Sequence, residues 1–226
     1  MEPLEIIAEA SGRISPTFLN YQIGSEIEVI LYHLLKKLGS TYRELFIISF
    51  QDAYHFVLSY VSSIYPGAGD VLRPDHLISI NPFLEEALNP ETIIKAKDAE
   101  IIAGRIHNRL SLMERPPGRR LFLILGLDLY GIRYPEELTQ IVPLLSRTLT
   151  RDRDANVIVV FNMKAFPEHV VEVIDSFALN VFRFSVEVKR REIRRKFTVV
   201  RSPFLEYNLR SWYYTVRDDG LVFEPI

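Results

Sequence analysis

The segment "YQIGSEIE", Tyr21 to Glu28, joins an apolar strand-like run to an amphipathic helical pattern through Gly24 and Ser25. Connections of this kind hold phosphate in many α/β proteins. Glycines let the backbone wrap the anion, and a lysine with a neighbouring hydroxyl meets the phosphates and magnesium. Here there is one glycine and no lysine, and Glu26 and Glu28 occupy positions that an anion would share. A second group is basic. "EVKRREIRRKF" places Lys189, Arg190, Arg191, Arg194, Arg195 and Lys196 within eight positions between two strand-like runs. Such a hairpin tip could contact the phosphates of DNA or RNA, with a salt-dependent contribution from each contact. The reading that it guards a sheet edge or meets a protein comes before that one, because charge runs usually serve solubility. No aromatic residue is interleaved at the tip, so base stacking of the single-strand type is not expected there. A third group is acidic: Glu85 with Glu86, Glu136 with Glu137, and Asp152 with Asp154. These fall in loops or helix starts, where carboxylates favour the helix dipole, and they read as surface residues. The five histidines, His33, His55, His76, His107 and His169, lack metal-ligand spacing, and no nucleophile elbow or zinc-protease helix is present. No metal or cofactor is expected.

The chain that must position these groups has 226 residues, 48% of them hydrophobic, which is enough for a substantial core. Its longest apolar runs, "LFLILGL" and "NVIVVF", are too short to span a bilayer, and the amino terminus "MEPLEIIAEA" is acidic where a signal peptide would be basic. An intracellular, cytoplasmic protein without a membrane partner is expected. The absence of cysteine removes disulfides, thiol nucleophiles and thiolate metal sites together. With three methionines and a charged fraction of 25%, it also suits a hot environment. A net charge of −2 argues against a protein that coats nucleic acid over its whole surface, and leaves room for a local basic patch.

Strand-like and helical patterns alternate through most of the length, which predicts a mainly parallel sheet flanked by helices in a single domain over 1–226. "TFLNYQ" precedes the helix "SEIEVILYHLLKKL", which ends at Gly39, and "ELFIISF" precedes the helix "AYHFVLSYVSSI". "HLISIN" is a strand and "AKDAEIIAGRIHNRLSLM" a helix. "RRLFLILGL" is nearly unbroken in apolar character and should be a central strand covered on both faces. Helices in "PEELTQIVPLLSRTL" and "PEHVVEVIDSFA" flank the strand "NVIVVFNM". From "NVFRFSVEV" onward, "KFTVVRS", "WYYTVR" and "LVFEPI" are strands with short connections, which predicts antiparallel pairing at the carboxyl end, with "DDG" as a hairpin turn.

In order and local sequence these elements resemble the RecA-like ATPase core of the KaiC family, which is widespread in archaea. Laid on that family's phosphate loop without a gap, Tyr21 stands at the first loop glycine, Glu26 at the second, Ile27 at the lysine and Glu28 at the threonine. Only Gly24 remains as a loop glycine, beside Ser25. The family's strand ending in Phe-Glu-Glu, whose glutamate activates the attacking water, corresponds to Phe50, Gln51 and Asp52. An amide at Gln51 orients a water but cannot accept its proton, and Asp52 is a shorter substitute. The family's magnesium-binding aspartate falls on Gly126, with Asp128 two residues on, an offset that along a strand moves a carboxylate about 6 to 7 Å on the same face. Near the end, "FTVVRSP" places Arg201 at a lysine, and Pro203 at an arginine, that in the family reach a neighbouring subunit's nucleotide.

The resemblance therefore implies a RecA-like domain without ATP hydrolysis, needing no cofactor, that acts as a regulatory or assembly partner of an active RecA-like ATPase or recombinase, or in a homo-oligomer. Arg201 is the implied inter-subunit contact, and Tyr21, Tyr130 and Trp212 are further candidates for an interface, with Tyr21 and Trp212 equally readable as core residues. A nucleic-acid-binding module using residues 189–196, in recombination or in the manner of the RecA-like accessory subunits of Elongator, is the alternative. An enzyme with an unrecognised active site is a third reading.

Overall fold

The computed structural model describes residues 1–82, 93–114, 117–189, 192–217 and 220–226. Glu85, Glu86, Arg190, Arg191 and the first two residues of the expected "DDG" turn lie outside the described residues. The strands are β1 (Thr17–Tyr21), β2 (Glu44–Phe50), β3 (His76–Ile80), β4 (Ile93–Ile94), β5 (Arg120–Leu125), β6 (Ala155–Asn162), β7 (Asn180–Lys189), β8 (Glu192–Arg201), β9 (Ser211–Arg217) and β10 (Gly220–Pro225). The helices are α1 (Pro3–Arg13), α2 (Ile27–Leu38), α3 (Ala53–Ile64), α4 (Ala68–Val71), α5 (Ala99–Leu112), α6 (Leu127–Arg133), α7 (Pro135–Leu149) and α8 (Glu168–Ser176), with a 3-10 turn at Met163–Ala165.

Among the described residues all ten strands form one sheet, in the order β10-β9-β8-β7-β1-β6-β5-β2-β3-β4. From β7 to β4 the pairing is parallel, and from β7 to β10 it is antiparallel, as the sequence predicts. The central strands are buried along their whole length because side chains alternate between two apolar layers. Leu121, Leu123 and Leu125 of β5 join α1, α2 and α3 on one face, while Phe122 and Ile124 join α5, α7 and α8 on the other.

Each helix has local causes. α2 buries Ile27, Ile30, Leu31, Leu34, Leu35 and Leu38, an i, i+3, i+4 stripe, and carries Lys36 and Lys37 in its last turn before Gly39. α7 begins at Pro135 with Glu136 and Glu137 in its first turn. Glu137 also accepts a hydrogen bond of 2.8 Å from the Ala99 amide at the start of α5, so one of that acidic pair ties two helices together. Asp152 likewise does more than solubilise. With Glu44 it holds the buried Arg120 at the amino end of β5, where the Glu44 contact is 3.0 Å. α1 and α6 are absent from the sequence reading. Residues 3–13 open with Pro3 behind a Glu2–Glu5 capping box and bury Ile6, Ile7 and Ala10, a start signal hidden in a stretch that reads as an acidic terminus.

Candidate functional site

Parallel α/β sheets present their binding residues at the carboxyl ends of the strands, near the point where chain crossovers change direction. In this chain β1, β2 and β5 bring Tyr21–Glu28, Gln51–Asp52 and Gly126–Asp128 to that one edge. Backbone strain collects there as well. Of the four non-glycine residues with positive φ among the described residues, three, Glu26 (57°), Gln51 (48°) and Asp52 (61°), stand beside Gly24 (89°) and Gly126 (73°) on this edge. Such conformations persist only where surrounding contacts hold them.

Those contacts are visible for the first loop. Gln22 donates its amide to the Phe184 carbonyl at 2.9 Å and accepts the Val186 amide at 3.3 Å through its side chain, which seals the loop onto β7. Tyr214 on β9 donates its hydroxyl to the Ser25 carbonyl at 2.5 Å. Arg195 on β8 donates to the Gly24 carbonyl at 2.9 Å and to the Glu26 carboxylate at 3.0 Å, and Tyr60 on α3 donates to the other Glu26 oxygen. That last bond pushes the Tyr60 hydroxyl pKa up to about 12. Two carbonyls and a carboxylate of the loop are thus engaged by β8, β9 and α3. Ile27 turns into the core, while Ile23 projects from the tip with 78% of its surface exposed.

The other two strand ends are equally specific. Gln51 donates its backbone N–H to the Ile80 carbonyl at 3.0 Å, and its buried side-chain nitrogen has no partner among the described residues. Asp52 accepts a bond of 3.1 Å from Asn81. Gly126 packs against β2 so closely that a Cβ there would stand 2.4 Å from the Phe50 carbonyl oxygen and 2.6 Å from the Ala53 Cβ. Its left-handed backbone then ends β5 and starts α6, so Asp128 lies in a helical first turn. This corrects the expectation of an aspartate further along the same strand: the glycine bends the chain before a strand offset can apply. Asp128 is 5% exposed and accepts a bond of 3.4 Å from the Tyr21 hydroxyl.

Between α2, α3 and α6, Tyr21, Glu28 and Asp128 line a cavity of about 600 Å³, whose lining does not include Gln51 or Asp52. Its walls are largely apolar, including Leu31, Val57 and Leu129, and Tyr21, Glu28, Tyr60 and Asp128 supply the polar groups. Burial pushes both the Glu28 and Asp128 carboxyls above their usual range, and the nearby Glu26 adds to the effect at Glu28. Burial, followed by these two carboxylates, raises the Tyr21 hydroxyl. Neither carboxylate has an ion-pair partner among the described residues. Phe56, Tyr60 and Ile64 form an exposed i, i+4, i+8 row on α3, and Phe56 and Tyr60 reach the cavity wall.

The basic stretch is brought together only in part. Lys189 ends β7, and Arg194, Arg195 and Lys196 lie on β8. Each of those three has a carboxylate partner: Glu192 at 2.8 Å, Glu26 at 3.0 Å and Glu187 at 3.5 Å respectively. Arg194 also lies over the Tyr213 ring, 5.5 Å from its centroid, a contact between strands that the local sequence does not disclose. Arg201 is exposed at the other end of β8, opposite Val181 at the start of β7, and so stands at the amino edge of the parallel strands, away from Gly24 and Asp128. Tyr130 is corrected as an interface candidate, being 1% exposed, and Trp212, 8% exposed, takes the core place that was its alternative. Tyr130 donates its hydroxyl to the Lys97 carbonyl at 2.7 Å, and Trp212 packs on Phe197.

Among the described residues, no group of three or more metal-ligating side chains is placed to hold an ion, and no helix is long and apolar enough to cross a membrane. No family model and no curated protein matches the chain. Among solved structures it is similar to a KaiC-like protein from the hyperthermophilic archaeon Pyrococcus horikoshii, with a TM-score of 0.63 at 11% identity over 92% of this chain and 89% of that one. The fold is RecA-like, of the KaiC-like type.

Proposed function

We propose that this chain is a RecA-like domain that neither hydrolyses ATP nor requires a nucleotide, and that it works through its surface as a regulatory or assembly partner of an active RecA-like ATPase or in a homo-oligomer. The packing of Gly126 carries this reading. The position aligned with a magnesium-binding carboxylate has no room for any side chain, and the nearest substitute, Asp128, is directed to Tyr21. Three further features support it. No lysine serves the Gly24 loop, Glu26 and Glu28 would repel phosphate at close range, and the arginine nearest the loop is spent on Gly24 and Glu26.

The assembly half rests on surface chemistry. Ile23 and the Phe56, Tyr60, Ile64 row give the carboxyl edge an apolar face, and Arg201 stands at the opposite edge, where only a head-to-tail neighbour could bring it to such a face. A stable interface of this kind buries on the order of 1,200–2,000 Å². Calorimetric titration with magnesium and ATP, together with light scattering of the chain alone and mixed with a RecA-like ATPase from the same genome, tests the two halves. Micromolar nucleotide affinity would overturn the first. A strict monomer that binds no such ATPase would overturn the second.

Nucleic-acid binding through residues 189–196 is the second reading, favoured by Tyr213 beneath Arg194 and opposed by the carboxylate partners of Arg194, Arg195 and Lys196.

A further inference from the structure

We propose that the cavity between α2, α3 and α6 binds a small organic amine: an ammonium or guanidinium head on an apolar stem. The inference deepens the preceding one and rests on its claim that this edge does not hold magnesium nucleotide. Three kinds of lining converge on the same ligand class. Glu28 and Asp128 offer two carboxylates without a cationic partner among the described residues. Tyr21, Phe56 and Tyr60 add aromatic rings to the same wall, and aromatic faces beside carboxylates attract alkylammonium groups through the ring quadrupole. The remaining wall is aliphatic, and the volume of about 600 Å³ is that of a small-molecule pocket.

Charge decides against the other ligand classes. An anion would enter a cavity whose ionisable groups are acidic and whose nearest arginine already bonds Gly24 and Glu26. A neutral apolar molecule would leave Asp128, 5% exposed, as a buried carboxylate whose only hydrogen bond from another side chain among the described residues is the Tyr21 bond of 3.4 Å. A cation offsets that desolvation directly, and an apolar stem occupies the space lined by Leu31, Val57 and Leu129. Burial disfavours the charged form of both carboxyls and an ammonium beside them favours it, so amine binding draws off any proton they hold and tightens as pH rises.

Isothermal calorimetry of the full chain at neutral pH with phenethylammonium, its neutral counterpart 2-phenylethanol, and magnesium with ATP tests the proposal. Phenethylammonium should bind with submillimolar to millimolar affinity, at least about tenfold tighter than the alcohol. Asp128→Asn and Glu28→Gln, which keep the shape of the wall, should each weaken the amine by about tenfold and leave the alcohol unchanged. No heat from the amine up to about 10 mM, equal affinity for the alcohol, or amine affinity unchanged in both variants would overturn it. If neither amine nor nucleotide binds, this inference fails and the reading of the site as nucleotide-free stands. If magnesium ATP binds, both fall.

Discussion

Arg195 on β8 reaches across to the helix-entry loop and holds Glu26 by a contact of 3.0 Å while its Nε bonds the Gly24 carbonyl at 2.9 Å. A side chain from a strand with a basic sequence thus acts as a structural clamp on the one segment whose spacing suggests phosphate. Glu26 keeps a left-handed backbone, φ 57°, and that conformation needs external support.

Arg195→Ala should therefore loosen the loop before it affects the fold. Hydrogen exchange at the amides of Ser25 and Val29, which bond the Gln22 and Glu26 carbonyls, should speed up by about tenfold or more. Amides in β5 should keep their protection. Unchanged exchange at residues 22–29 would show that Tyr60 and Tyr214 suffice.

The two buried carboxyls predict an unusual dependence of stability on pH. Their folded pKa values lie above the unfolded ones, so the native state binds more protons in the interval between them. Their contribution is fully present below the ordinary carboxylate range and is lost as pH rises through the raised values. Asp128→Asn should then raise the Tm at pH 7.5 by about 2–4 °C, the shift that about 1 kcal/mol produces in a chain of this size, and the gain should vanish near pH 4. A gain independent of pH would contradict this origin.

Asn180, fully buried, donates to the Ile14 carbonyl at 3.0 Å and to Thr17 Oγ1 at 3.2 Å, and accepts from Ser202 Oγ at 2.9 Å. It joins the end of α1, β1 and the exit of β8 in one network. Asn180→Ala should cost roughly 2–4 kcal/mol, since several buried groups lose partners at once. Urea denaturation gives the value, and less than about 1 kcal/mol would mean that water replaces the amide.

If residues 189–196 bind nucleic acid, Arg194→Ala should weaken binding across sequences and flatten the salt slope by about one unit. An unchanged slope in fluorescence titrations would exclude Arg194 from that role.

The alternation of apolar runs gave the order of strands and helices because each pattern is a local consequence of two-sided burial, as in β5 and α2. The same locality explains what stayed hidden. That Asp128 leaves the strand depends on how closely Gly126 approaches Phe50, a residue of another strand. The clamp by Arg195 and the ring of Tyr213 under Arg194 are contacts between strands that no window of sequence contains. Tyr130 looked like an interface aromatic, and Trp212 could be read either way, because side-chain type alone does not reveal which layer a residue enters. The loop residues Tyr21–Glu28 were legible as a group, while the cavity behind them needed α3 and α6 to close it.

The fit of Gly126 against Phe50 and Ala53 also bears on which sequences lie within reach of this one. A carboxylate introduced at position 126 meets the Phe50 carbonyl before it can meet a metal, so the first substitution on any route toward a magnesium site is penalised before a second could make it useful. Routes of that shape are closed to selection acting one residue at a time. Substitutions around the mouth of the cavity, at exposed Phe56 or Ile23, face no such barrier. Side chains at the mouth of the cavity are thus free to vary, while a side chain at position 126 is not.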